Sequence, residues 1–193
     1  MSRIGSVLGM FVGAAALVST GASDGAASNN LQTNAHAFVF DLPDGSELPL
    51  KQFAGKPVLV VNTATECGFS GQFAELQELH ERYAARGLVV LAVPSNDFGG
   101  QEPRKDGEIA GYCEAKYGAQ FLMTAKTGVK GKNAHPFYRW AKDSLGPVAR
   151  PYWNFHKYIV GPDGSIVAWF STPTSPTSNR IINEIEKQLA GIN

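Results

Sequence analysis

The chain has only two cysteines, Cys67 and Cys113, in 193 residues. With no Cys-x-x-Cys pair between them, the chemistry of a general thiol–disulfide oxidoreductase is disfavoured. An excess of charge is absent too: 17 Lys and Arg balance 17 Asp and Glu, so no basic surface points to nucleic acid as a partner. The four histidines, His36, His80, His135 and His156, are scattered without metal-ligand spacing, and no metal or other cofactor is expected. Gly99-Gly100 has no lysine after it, which excludes a phosphate-binding loop. No stretch reaches the ~20 strongly apolar residues that a spanning helix needs.

What remains is 44% hydrophobic and 18% charged, the balance of a globular domain rather than of a disordered or fibrous chain. The length suits one domain with a real core and not two. The first residues stand apart. Arg3 gives a positive start, residues 4–18 are apolar and uncharged, and small residues follow at 19–23 and 25–28, which is the three-part pattern of a secretory signal peptide. The expected division is therefore a signal peptide over 1–27, a flexible leader over 28–36 and one domain over 37–193. The mature protein is expected to be exported, periplasmic or secreted, with no stable membrane insertion after cleavage. No cysteine follows the apolar run before Cys67, so a lipoprotein is not indicated.

Within the domain, residues 38–42, the Asp44-Gly45 turn and then Leu48 and Leu50 predict an opening β-hairpin. Residues 57–62, PVLVVN, form the continuous apolar run of a strand buried on both faces. From Gln72 the spacing turns helical through Phe73, Leu76, Leu79 and Tyr83, ending at Gly87. A second buried strand, LVVLAV, follows at 88–93. Two apolar strands joined by a helix make a right-handed parallel unit, and Cys67 falls at its strand-to-helix switch. Further helices are expected over 106–117, stopping at Gly118, and over 134–145, with Pro136 early where no NH donor is needed. The Gly161 to Gly164 turn between 157–160 and 165–170 predicts an antiparallel hairpin. The stripe Ile181, Ile182, Ile185 and Leu189 predicts a closing helix.

A cysteine ahead of a helix N-terminus is placed to form thiolate, the reactive species, with the adjacent Glu66 acting against it. Cys67 also reads as an inert buried thiol or half of a structural disulfide. By residue type alone Gln101 reads as a loop glutamine, Trp153 as a core aromatic, Asn154 as a turn residue and Cys113 as a small hydrophobe beside Ile109, Tyr112, Lys116 and Tyr117.

Three separated segments carry a sharper signal: residues 61–71, 94–103 (PSNDFGGQEP) and 152–158 (YWNFHKY). In order and spacing the chain resembles the glutathione peroxidases from about Ala37 to its last helix. The resemblance implies an α/β, thioredoxin-like fold, with a central mixed β-sheet flanked by helices and an N-terminal β-hairpin. It implies a thiol peroxidase that reduces hydrogen peroxide and organic or lipid hydroperoxides. Cys67 corresponds to the nucleophile, and Gln101, Trp153 and Asn154 to its uncharged donor shell. Cys113 matches the helical resolving cysteine of members that use thioredoxin, so a Cys67–Cys113 disulfide is implied, with partial unwinding of its helix. A thioredoxin-like dithiol protein or glutathione is the expected reductant. The short connection from Leu145 to Tyr152 matches monomeric members with an open site.

The chain departs from the family's common pattern at Ser95, where Cys is usual, and at Asp97 and Glu66, where Gln is usual. Carboxylates at these positions would oppose a thiolate if they pointed inward. The rival reading is a non-catalytic redox sensor or binding module with the same disulfide.

Overall fold

In the computed structural model of the protein, residues 33–191 are described. The expected signal peptide lies outside them, and so does the leader up to residue 32. The leader's remaining residues do not behave as a tether. Ala35 is fully buried and its NH donates to the Gly164 carbonyl at 2.8 Å, so the folded unit begins ahead of the expected boundary at 37.

Strands β1 (Val39–Asp41) and β2 (Glu47–Pro49) form the small antiparallel sheet. The central sheet is built from β3 (Val58–Thr63), β4 (Val89–Pro94), β5 (Leu122–Met123), β6 (Lys157–Val160) and β7 (Ile166–Phe170), in the order β5-β4-β3-β6-β7. Strands β3, β4 and β5 run parallel, while β6 and β7 join antiparallel on the other side. The sheet is thus mixed.

Alternation along β3 explains the layers on its two faces. Leu59 and Val61 face a core shared with α1 (Gln72–Tyr83), α2 (Asp106–Tyr117) and α4 (Asn179–Ala190). Val58 and Val60 face a second core, closed by α3 (Pro136–Leu145) and the β1–β2 hairpin. All six β3 residues are buried, as a strand covered on both faces must be. Helix α1 passes through a short 3-10 turn to Gly87, whose φ of 106° is left-handed and favours glycine. Among the described residues no helix is long and apolar enough to cross a membrane.

Candidate active site

Strand β3 ends at Thr63, and a string of tight turns carries the chain to Gly71, the cap of α1. Cys67 sits within that string: its NH points to the Ala64 carbonyl at 3.4 Å, and its carbonyl accepts from Ser70 NH at 2.9 Å. The side chain is buried, 3% exposed, while Gly68 and Phe69 beside it are open to solvent. The thiol is thus shielded, one residue from the exposed surface.

The two further segments converge on this turn. Gln101 uses its backbone carbonyl to accept from Glu66 NH at 3.0 Å, which ties the 94–103 loop to the residue preceding Cys67. Its side-chain oxygen accepts from Asn154 Nδ2 at 3.0 Å. Asn154 is fully buried, and its Oδ1 has no protein partner. A buried acceptor of this kind has room for one further hydrogen bond. Trp153 is 40% exposed, so it is not the core aromatic its residue type suggests. It packs on Phe98, with ring centroids 5.7 Å apart.

Trp153 lies between two hollows. On one side Phe69, Val148, Tyr152, His156, Trp169 and Pro173 line an almost wholly apolar cavity of about 490 Å³. On the other, a cavity of about 640 Å³ carries Lys130, Arg139, Lys142 and Arg150 and no carboxylate. Among the described residues, four of the five exposed large hydrophobic ones, Phe69, Val148, Tyr152 and Trp153, belong to the apolar hollow. Exposed apolar groups gathered in one place mark a binding surface.

The two carboxylates that depart from the family pattern point away. Glu66 is solvent-exposed and pairs with Arg104 at 3.4 Å. Asp97 accepts from the amides of Val129 at 2.6 Å and Lys130 at 3.1 Å, so it pins a loop. Ser95 is fully buried, and its hydroxyl oxygen accepts from Asp97 NH at 3.4 Å.

Cys113 is buried in the middle of an intact α2 and is a free thiol, as is Cys67. Burial pushes the Cys113 thiol up to about 12, with the nearby Glu102 charge adding to the effect. In this conformation it is a protonated, weak nucleophile.

Sequence reasoning missed Glu102, which is fully buried. Its carboxylate accepts from both the NH and the hydroxyl of Thr65, each at 2.8 Å. Arg104 donates to the same hydroxyl oxygen at 2.6 Å, and its guanidinium lies 3.7 Å from the centre of the Tyr112 ring on α2. One arginine thus bridges the Cys67 turn and the Cys113 helix. A charged residue two places after Gly-Gly reads as surface, and nothing local in the sequence marks its burial.

Comparison with known proteins shows the family and the fold. The glutathione peroxidase family model matches residues 35–142. The glutathione peroxidase homolog BsaA of Bacillus subtilis is 44% identical over 136 residues, covering 68% of this chain and 84% of that protein. The hydroperoxy fatty acid reductase gpx1 of Synechocystis is 38% identical over 162 residues, covering 80% and 95%. The crystal structure of Trgpx in apo form superposes with a TM-score of 0.66 at 30% identity, covering 82% of this chain and 97% of the other.

Proposed function

The chain belongs to the glutathione peroxidase family and is a thiol-dependent peroxidase of hydroperoxides; on that premise we propose that Cys67 is the reacting sulfur, with Gln101, Trp153 and Asn154 as its donor shell. The observation that carries this is the 3.0 Å bond from Asn154 Nδ2 to Gln101 Oε1, made by a loop whose Gln101 carbonyl also holds the NH of Glu66. These two bonds support the reading, because they link the segments of Gln101 and Asn154 to the residue next to the buried Cys67.

In the first step the Cys67 thiolate attacks the terminal peroxide oxygen. The O–O bond breaks, the sulfur loses two electrons to become a sulfenic acid, and the departing oxygen takes a proton to leave as water or alcohol. Uncharged donors suit this chemistry, because they orient the peroxide without competing as nucleophiles. In the second step the Cys113 sulfur attacks the sulfenic sulfur and water leaves, forming the Cys67–Cys113 disulfide. An external dithiol of the thioredoxin type then reduces it by exchange, and glutathione is the other candidate. For an exported enzyme, this electron source must be available outside the cytosol.

The apolar hollow beside Trp153 favours organic and lipid hydroperoxides over hydrogen peroxide, since a tail laid there leaves water. The protein is read as a monomer with an open site.

Purified reduced protein should consume hydrogen peroxide and cumene hydroperoxide, and Cys67→Ser should abolish the consumption. Cys113→Ser should allow one turnover and accumulate sulfenic acid, detected by trapping and mass spectrometry. Equal, slow consumption by wild type and Cys67→Ser would rule out Cys67 as the nucleophile and leave the redox-sensor reading.

A further inference from the structure

Lys157 is fully buried and has no part in the proposed chemistry. Burial pulls its ammonium down to about 7, against the attraction of Glu75. An apolar side chain would fill the same space without that desolvation penalty. What the amine does is donate: Nζ reaches the Phe155 carbonyl at 2.7 Å and the Thr172 carbonyl at 3.4 Å.

The Phe155 carbonyl is one of three in succession. The carbonyl of Trp153 accepts from Asn62 Nδ2 at 3.1 Å, that of Asn154 from Thr172 Oγ1 at 2.7 Å, and that of Phe155 from Lys157. Each is held by a different side chain, from β3, from the segment after β7 and from β6, and all three side chains are buried. The amides are fixed as well, with Phe155 NH on the Asn62 carbonyl at 2.6 Å and His156 NH on Asn62 Oδ1 at 3.1 Å.

Phe155 needs such holding. Its φ of 62° is the only positive value at a non-glycine among the described residues. A bulky residue stays in the left-handed region only where its surroundings leave no alternative. That reversal lets Phe155 enter the core against Phe73 while the residue before it, Asn154, meets Gln101.

We propose that Lys157 is a positioning residue which, with Asn62 and Thr172, clamps the three carbonyls of the Trp153-Asn154-Phe155 turn and so sets the donor shell for peroxide. The inference rests on the assignment of Trp153 and Asn154 to that shell. Either the ammonium or the neutral amine donates, so the clamp works on both sides of neutral pH.

The test compares Lys157→Met and Thr172→Val with Asn154→Ala, Trp153→Phe and the double variant Lys157→Met/Asn154→Ala, reading three quantities. These are the second-order rate with cumene hydroperoxide, the rate of Cys67 alkylation by iodoacetamide in a Cys113→Ser background, and the melting temperature. Lys157→Met should lower the peroxide rate at least tenfold and leave alkylation within twofold of wild type. Its melting temperature should be unchanged or raised, because a buried charge has gone, whereas a merely structural lysine would lose stability and activity together. Thr172→Val should act in the same direction. On the Asn154→Ala background, Lys157→Met should change the peroxide rate by less than twofold, as expected of a residue acting through Asn154. A wild-type peroxide rate in Lys157→Met beside a slow Asn154→Ala overturns the clamp. Wild-type rates in both Asn154→Ala and Trp153→Phe overturn the donor shell itself.

Discussion

His156 stacks flat on Trp169, with ring centroids 5.4 Å apart and planes 7° from parallel. Burial, with a smaller contribution from the neighbouring Lys157 charge, lowers its imidazole from 6.5 to about 4. Between these values an unfolded chain takes up a proton that the folded protein refuses. Stability must therefore fall as pH drops from 6.5 toward 4, by about 3 kcal/mol from this one group. His156→Phe keeps the aromatic stack and removes the titration. Urea midpoints at pH 7 and pH 4.5 should differ markedly less in this variant than in wild type, and equal pH dependence in the two would show that His156 is protonated in the folded state. The same scale shows where sequence reading stops. Lys157 and Glu102 are residue types expected at the surface and His156 is of an intermediate type, and no local pattern announces that all three lie inside. Nor could the direction of Glu66 and Asp97 be read, because it is set by Arg104 and by the amides of residues 129 and 130, distant in the chain.

Helix α2 is held lightly for an element with a buried thiol at its centre. It buries only Ile109 and Cys113, with Tyr112 and Tyr117 partly covered, and Arg104 stacked on Tyr112 links it to the Cys67 turn. Burying one isoleucine is worth about 1.5–3 kcal/mol, so local opening of this helix is cheap beside global unfolding. Opening also returns the Cys113 thiol to water and toward its ordinary range. Gly111 is exposed in the helix interior, and a Cβ added there meets nothing within 4 Å. Gly111→Ala should then stabilise the helical form by about 1 kcal/mol, slowing disulfide formation about fivefold and leaving sulfenic acid formation unchanged. Rapid-mixing measurements of the two phases separate these effects, and an unaltered second phase would mean that α2 need not unwind. Helix α2 was fully legible in the sequence, with Asp106 at its start and Gly118 after its end. So were both buried strands of the parallel unit and both hairpins, because apolar runs and glycine turns are local signals. Strand β5 was not, since two residues carry no periodicity. The Phe155 turn was not, since its left-handed residue is a phenylalanine where local rules expect glycine.

At the scale of the molecule, the parallel pairing of β3 with β4 and its antiparallel pairing with β6 bring the segments that follow β3 and β4 to the same edge of the sheet as the one that precedes β6. The same topology gives the start of the described chain a structural task. Trp140 on α3 donates its indole NH to the Thr33 carbonyl at 2.8 Å, Asn34 Nδ2 donates to Asp163 at 3.1 Å, and Ala35 NH donates to Gly164 at 2.8 Å. Residues 33–37 thus stitch α3 to the turn of the β6–β7 hairpin. Their place against Gly164 is close, for a Cβ there would come within 2.9 Å of Asn34 and His36. Three hydrogen bonds at about 1 kcal/mol each correspond to a fall in melting temperature of roughly 6–12 °C for a domain of this size. A chain starting at residue 38 should show that fall beside one starting at residue 33. If export removes a signal peptide, the cut must therefore lie before residue 33, which mass measurement of the exported protein can read directly. Equal melting temperatures for the two truncated chains would free the cleavage site to lie anywhere up to β1.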